Sequence, residues 1–163
     1  MHGALLEKLG GIVGPSHLVE GIELSAYAVE GRTPDAAVFP GSVDEVSAVV
    51  ACAADAEVPV MPWGGGTAAS LGTPPARTGI VLGLRRLDRL VEHEPGDLTA
   101  TVEAGMTLGR LQTTLRERGQ WLEQHVADGL RCRRVRLVAE AVAGGRHLND
   151  SDRDRAVHSD VSG

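Results

Sequence analysis

Three consecutive glycines, Gly64, Gly65 and Gly66, follow a short apolar run and precede the hydroxyl group of Thr67. Glycine has no Cβ, so the backbone here can adopt positive φ and come within hydrogen-bonding distance of a ligand. Successive N–H groups in such a turn form a concave site for an anion. This pattern favours a phosphate-bearing cofactor, with a plain glycine-rich turn as the alternative.

Two common nucleotide motifs fit this loop poorly. A Walker A loop places a lysine after its last glycine to reach the terminal phosphates, and no lysine is present here. Gly64, Gly66 and Ala69 satisfy the dinucleotide pattern G-x-G-x-x-A. That pattern requires a helix to begin at the loop, and Pro74 and Pro75 prevent one. The phosphate-binding loop is therefore expected to be of another kind.

The elements before and after the loop are predicted to form a small parallel sheet. Three apolar runs predict strands at residues 36–39, 58–61 and 80–84. Ser42 and Glu45 have the spacing of a capping box and predict a helix that ends near Ala56. A strand, a helix and a second strand imply a right-handed parallel crossover, which the third strand extends. The glycines then emerge at the carboxyl end of a strand, where such sheets bind ligands.

Two further units flank this sheet. Apolar residues at helical spacing predict a first helix over residues 4–13. Residues 91–94 and 99–103, joined by Pro95-Gly96-Asp97, predict an antiparallel pair in which Leu98, Ala100 and Val102 share the buried face. Thr107 is predicted to cap a helix that ends at Gly119. The expected fold class is α+β: an α/β-like first part, with a small parallel sheet and flanking helices, plus an antiparallel strand pair.

Composition excludes several other functions. The net charge of −6 and the four aromatic residues argue against a nucleic-acid surface. No segment approaches the ~18 apolar residues of a membrane span, and no secretory signal is expected. Cys52 and Cys132 are isolated, which predicts a reducing, cytoplasmic setting. Asp150, Asp152 and Asp154 lack the glycine and glutamate of a calcium loop, so no metal site is expected.

Charge also suggests a boundary at Leu122. Residues 1–122 carry 15 acidic and 9 basic side chains, whereas residues 123–163 carry 7 of each. Two segments are therefore expected, 1–122 as a folded unit and 123–163 as a divergent tail, partly helical over residues 130–143 or disordered.

The ordered motifs of residues 34–67, and more specifically the run LGLRRLDRLVEHEPGDLTATVEAGMTLGRLQTTLRERGQWL, resemble a known family. They are similar to the FAD-binding subunits of bacterial glycolate oxidases, whose FAD-binding domain is of the vanillyl-alcohol oxidase and p-cresol methylhydroxylase type. D-lactate dehydrogenases of the same superfamily are similar more loosely. The resemblance covers about residues 5–122.

The resemblance implies that the loop wraps the FAD pyrophosphate while a second segment approaches from the other side. The cofactor-binding residues it implies are Pro62, Trp63, Gly64, Gly65, Gly66, Thr67, Ala68, Ala69, Ser70, Gly72, Gly105 and Thr107. Thr67 and Ala68 stand where some members have a flavin-linking histidine, so FAD is expected to be noncovalent. Trp63 stands where an arginine is often seen, which weakens one electrostatic contact.

The resemblance implies FAD binding within a flavin-dependent oxidation of a 2-hydroxy acid, with other subunits of the complex as partners. It implies no catalytic residue here, because the family's next glycine-rich motif and its substrate domain do not follow Leu122. That change of pattern is expected to reflect a frameshift or truncation. The alternative function is therefore an inactive fragment that binds FAD weakly or not at all.

Overall fold

The structure is a computed structural model that describes residues 3–67, 69, 73, 75–122, 137–138 and 140–141. Its α-helices in this part are α1 (Gly3–Val13), α2 (Val43–Asp55) and α3 (Leu108–Arg116), and two 3-10 helices span Pro15–His17 and Gly21–Tyr27. Its strands are β1 (Leu18–Val19), β2 (Ala36–Val38), β3 (Val60–Trp63), β4 (Ile80–Gly83), β5 (Leu90–Glu94), β6 (Thr99–Val102), β7 (Gln120–Trp121), β8 (Leu137–Val138) and β9 (Glu140–Ala141). The predicted α+β class is confirmed.

The first sheet has the strand order β1-β2-β4-β3. β4 is parallel to both β2 and β3, with Val81 opposite Ala37 on one side and opposite Met61 on the other. The third predicted strand therefore joins the sheet as expected, but it lies between the first two rather than beside them. β1, which was not predicted, pairs antiparallel with β2 at the edge.

The sheet is buried on both faces, and successive strand residues alternate between two clusters. Val38, Ile80 and Leu82 pack against α1 and α2, which contribute Leu5, Leu9, Val13, Val49 and Ala53. Ala37, Phe39 and Val81 face the other way, against Leu24. Burial on both faces explains why the strands read as continuous apolar runs rather than as alternating ones.

Both predicted N-caps are confirmed. Ser42 Oγ accepts a hydrogen bond from the Glu45 N–H over 3.1 Å, and Thr107 Oγ1 accepts one from the Arg110 N–H over 3.4 Å. The carboxylate of Glu45 accepts from the N–H of Gly41 over 2.7 Å, one residue before the cap. The capping box is thus extended by one residue, which fixes the chain between β2 and α2.

β5 and β6 form the predicted antiparallel pair, and α3 covers it. Ala100 and Val102 are buried against Leu111 and Leu115. The prediction for Leu98 was wrong: it lies in the turn before β6, with φ of 58° and partial exposure. The turn that starts at Pro95 is one residue longer than its composition suggested, so the alternation begins at Thr99.

Most of the predicted tail lies outside the described residues, including the aspartates at 150, 152 and 154. Within residues 130–143, the four residues that the structure describes form short strands, and the rest of the predicted helix lies outside the described residues. β8 pairs antiparallel with β6, and β9 pairs antiparallel with β7. Pairing across chain segments, which local helical spacing does not report, decides their conformation. Among the described helices, none is long and apolar enough to cross a membrane.

Candidate functional site at the carboxyl edge of the first sheet

The glycine-rich loop begins where β3 ends, at the carboxyl edge of the sheet. Trp63 pairs with Gly83 in β4, and the carbonyl oxygen of Trp63 accepts a hydrogen bond from the Leu84 N–H over 3.0 Å. Within the described part of the loop, the left-handed conformation falls at Gly66, with φ of 75°. A Cβ at Gly66 would lie 2.9 Å from Cζ2 of the Trp63 ring. Glycine is therefore required there both by backbone conformation and by the indole packed beneath it.

A cavity of about 350 Å³ lies on one side of this loop. Gly64 and Gly65 form one wall, and Arg85 and Thr107 belong to other parts of its lining. These residues come from the loop after β3, from the segment after β4 and from the N-cap of α3, which are far apart in the chain. The fold thus brings backbone N–H groups, a hydroxyl and a guanidinium to one space.

A second cavity of about 500 Å³ lies along the same loop and shares Trp63, Gly64 and Gly65 with the first. Thr67 and Thr73 add two hydroxyl groups to its lining. Trp63 and the two glycines thus belong to the lining of both cavities. A single elongated ligand that contacts these residues could extend into both.

Three of the chain's four aromatic residues meet at the first cavity. The ring of Tyr27 contacts the ring of Trp63 edge to face, with centroids 5.5 Å apart, and lies 5.8 Å from that of Phe39. A Cβ at Gly83 would overlap the Phe39 ring, so this glycine lets the ring lie against β4. The sequence showed only that aromatics are few; their convergence depends on strand order and was missed.

The segment after β4 carries two adjacent arginines with different environments. Arg86 donates hydrogen bonds to the carbonyl oxygen of Phe39 over 2.6 Å and to Glu45 Oε2 over 3.4 Å. Its guanidinium thereby ties this segment to the start of α2. Arg85 instead lies over the face of the Phe39 ring, with Cζ 3.8 Å from the ring centroid. Arg86 therefore has a structural role, and Arg85 faces the cavity.

Gly105 joins the antiparallel unit to this edge of the first sheet. Its N–H donates to the carbonyl oxygen of Leu87 over 2.6 Å, and a Cβ would overlap the carbonyl oxygen of Leu84. The close approach of the two backbones places Thr107, two residues later, in the wall of the first cavity. Gly105 therefore allows the two parts of the fold to pack in close contact.

Arg89 and Glu103 reinforce the same junction. The carboxylate of Glu103 accepts from the Arg89 backbone N–H over 2.8 Å and from its guanidinium over 2.9 Å and 2.6 Å. The side-chain hydrogen bond from Arg89 lowers the pKa of Glu103 below its ordinary value, although burial acts in the opposite direction. The same bond raises the pKa of Arg89.

The structure places the predicted cofactor-binding residues as follows. Thr107 lines the first cavity, and Pro62, Gly66, Thr67 and Ala69 line the second. Trp63, Gly64 and Gly65 line both. Gly105 lines neither cavity and is in close backbone contact with Leu84 and Leu87. Ala68, Ser70 and Gly72 lie outside the described residues.

The partly buried His93, in the Glu92-His93-Glu94 run, contacts Gln120 Oε1 over 2.7 Å, and both glutamates are exposed.

This lining is suited to a large phosphate-bearing ligand such as FAD. Glycine at position 66 keeps the loop close to the Trp63 ring, where a Cβ would not fit. Hydroxyl groups come from Thr67, Thr73 and Thr107, and Arg85 supplies a positive charge. Among the described residues that line either cavity, none carries a carboxylate. The residues present therefore fit the group that the resemblance implies.

The backbone is similar to several solved structures. Alkyldihydroxyacetonephosphate synthase matches 82% of this chain and 30% of its own, with a TM-score of 0.70 and 20% identity. p-Cresol methylhydroxylase matches 78% of this chain and 27% of its own, with a TM-score of 0.65 and 23% identity. At these identities, the likeness establishes the fold.

Curated relatives are more similar in sequence. The probable mitochondrial D-lactate dehydrogenase of Danio rerio is 37% identical over 90 residues, or 55% of this chain and 18% of the relative. The D-2-hydroxyglutarate dehydrogenase of Xanthomonas citri pv. viticola is 43% identical over 86 residues, or 53% and 18%. Glycolate oxidase subunit GlcD of Bacillus subtilis is 36% identical over 73 residues, or 45% and 16%. The matched part is less than a fifth of each relative.

A family profile described as an FAD binding domain matches residues 34–135. The match begins just before β2, includes the glycine-rich loop, Arg85 and Thr107, and continues beyond Leu122. It covers well over half of the chain. The chain therefore belongs to the FAD-binding domain family.

Proposed function

We propose that this chain supplies part of a noncovalent FAD site in an oxidoreductase that acts on a 2-hydroxy acid. The observation that carries the proposal is the family match over residues 34–135, which contains the loop and Thr107 on the two sides of one cavity. The residues proposed to contact FAD on the loop are 62–70 and Gly72, with Thr107 opposite them. Gly105 supports that opposite wall.

The substrate class comes from the relatives. D-lactate, D-2-hydroxyglutarate and glycolate, named in three of them, are all 2-hydroxy acids. When bound, FAD supplies the oxidative chemistry through its flavin ring, and the protein binds and orients it. Association with other subunits, by analogy with a relative named as a subunit, and a cytoplasmic location belong to the same proposal.

Noncovalent binding is proposed because the described part of the loop offers glycines and Thr67, with no histidine or cysteine. A denaturation experiment tests this point. Flavin released by acid and separated from the protein would agree with the proposal, whereas flavin that stays with the precipitated chain would contradict it.

FAD binding itself is tested by titration of the purified chain with FAD, followed by flavin fluorescence and the visible absorption spectrum. Saturable binding of one FAD per chain is expected. The second candidate function is a chain that binds FAD weakly or not at all by itself, and the exposure of the lining residues Pro62, Thr67 and Arg85 favours it. Unchanged flavin fluorescence at every protein concentration would support this candidate and contradict the first.

A further inference from the structure

We propose that Arg85 is the cationic contact for the diphosphate of the cofactor, in place of a charged residue on the glycine-rich loop. This inference rests on the proposed FAD function. Among the described residues that line the two cavities, Arg85 is the one that carries a formal charge. The loop offers N–H and hydroxyl donors alone.

Strand register brings Arg85 beside the loop. Trp63 and Gly83 are directly paired, and the next backbone bond joins the Leu84 N–H to the Trp63 carbonyl over 3.0 Å. Gly64 and Leu84 thus leave the sheet as neighbours, on strands about 4.8 Å apart. Arg85 follows immediately, and it lines the same cavity as Gly64 and Gly65.

The guanidinium of Arg85 contacts the face of the Phe39 ring. Cζ of Arg85 lies 3.8 Å from the ring centroid, within the range of a cation–π contact. A planar guanidinium carries N–H donors along its edge that can bind two phosphate oxygens at once. The contact with the ring face leaves those donors available for a ligand.

Three other arginines form ion pairs with carboxylates of this chain. Arg86 pairs with Glu45, Arg89 with Glu103, and Arg110 with Asp88. In the part of the chain that the structure describes, the arginine at position 85 has no such carboxylate partner. Because the chain as a whole has a net charge of −6, an anionic ligand needs a local positive group at its site.

The test compares FAD binding by the intact chain and by Arg85→Met, which keeps the length and apolar contacts of the side chain but removes its charge. Affinity is expected to fall at least about tenfold. Arg85→Lys keeps the charge without the planar fork and should bind with intermediate affinity. Arg118→Met is the matched control, because Arg118 is exposed after α3 and lines neither cavity.

Two further measurements identify the diphosphate as the group contacted. The affinity of the unchanged chain for FAD should weaken as NaCl rises from about 25 to about 250 mM, and Arg85→Met should flatten this dependence. ADP should displace FAD better than adenosine does, and the difference should shrink in Arg85→Met. The urea midpoint of each variant shows whether it is folded.

The outcomes distinguish a failure of the Arg85 inference from a failure of the proposed FAD function. If the unchanged chain binds FAD and folded Arg85→Met binds it equally well, with the same salt dependence, Arg85 is not the contact and the proposed function stands. If the unchanged chain binds no FAD, both are overturned. A loss of affinity confined to Arg85→Met, with Arg118→Met unaffected, supports the inference.

Discussion

The backbone N–H of Gly105 donates a hydrogen bond to the carbonyl oxygen of Leu87 over 2.6 Å. This bond joins the end of β6 to the segment that follows β4, and so connects the antiparallel unit to the first sheet. The position of Thr107 relative to the glycine-rich loop depends on this junction. Packing at Gly105, which lines neither cavity, therefore helps to position one wall of the candidate site.

Substitution of Gly105 by alanine should destabilise the chain. The added Cβ would overlap the Leu84 carbonyl oxygen, and backbone cannot move as easily as the end of a side chain. We expect the free energy of unfolding in urea to fall by about 1–3 kcal/mol. Gly11→Ala is the control: it lies in α1 with open space around it and should gain about 0.5–1 kcal/mol. Equal effects of both substitutions would contradict the assigned contact.

Gly66→Ala should disturb the loop at its turn. A residue with φ of 75° and a Cβ 2.9 Å from the Trp63 ring costs about 1–2 kcal/mol from conformation alone, and the indole must move. We expect altered tryptophan fluorescence together with weaker FAD binding. The control is Gly96→Ala, whose Cβ would meet only Glu94 Oε1 at 3.6 Å. Unchanged tryptophan fluorescence and unchanged FAD affinity in Gly66→Ala would show that the loop is not part of the FAD site.

The Arg89–Glu103 pair should make stability depend on pH. Because the pKa of Glu103 is lowered in the folded chain, the unfolded chain binds more protons near that pKa and stability rises with pH. The contribution is present above the ordinary value of 4.5 and is lost as pH falls through the lowered pKa. Urea midpoints of Glu103→Gln and of the unchanged chain should therefore differ near neutral pH and converge in acid. Glu92→Gln, at an exposed position of β5, should show no such convergence.

Ser42→Ala should weaken the start of α2. The Ser42 hydroxyl satisfies the Glu45 N–H, which has no partner within the helix, so its loss should cost about 1 kcal/mol in urea denaturation. Ser47→Ala is a matched control, because Ser47 is exposed inside the same helix, where alanine is the better helix former. Loss of stability in Ser47→Ala but not in Ser42→Ala would contradict the cap.

Local signals predicted much of the fold. The Ser42 and Thr107 caps, the helical spacing of α1 and the apolar runs of β2 and β4 depend on residues close in sequence, and they are confirmed. The order of the strands in the sheet could not be predicted from such local signals. Nothing within residues 80–84 indicates that β4 enters between two earlier strands, because the choice depends on pairing across the chain.

The same distinction between local signals and pairing across the chain applies to the candidate site. Gly64 and its neighbours were predicted from their composition and spacing, whereas the sequence did not single out Arg85 as a candidate. Arg85 and Arg86 are adjacent and chemically identical in the sequence. Their roles differ because one meets the Phe39 ring and the other the Phe39 carbonyl and Glu45. Those contacts exist only once β2 and β4 are paired.

The central position of β4 also sets an order of assembly during synthesis. Chains emerge from the ribosome N-terminus first, at about 5–20 residues per second. When β2, α2 and β3 have emerged, β2 and β3 have no strand between them, because β4 supplies the hydrogen bonds on both sides. A nascent chain that stops short of Ile80 therefore exposes two strand edges, which favours association with other chains. The glycine-rich loop becomes part of a stable sheet only after Gly83 has left the ribosome.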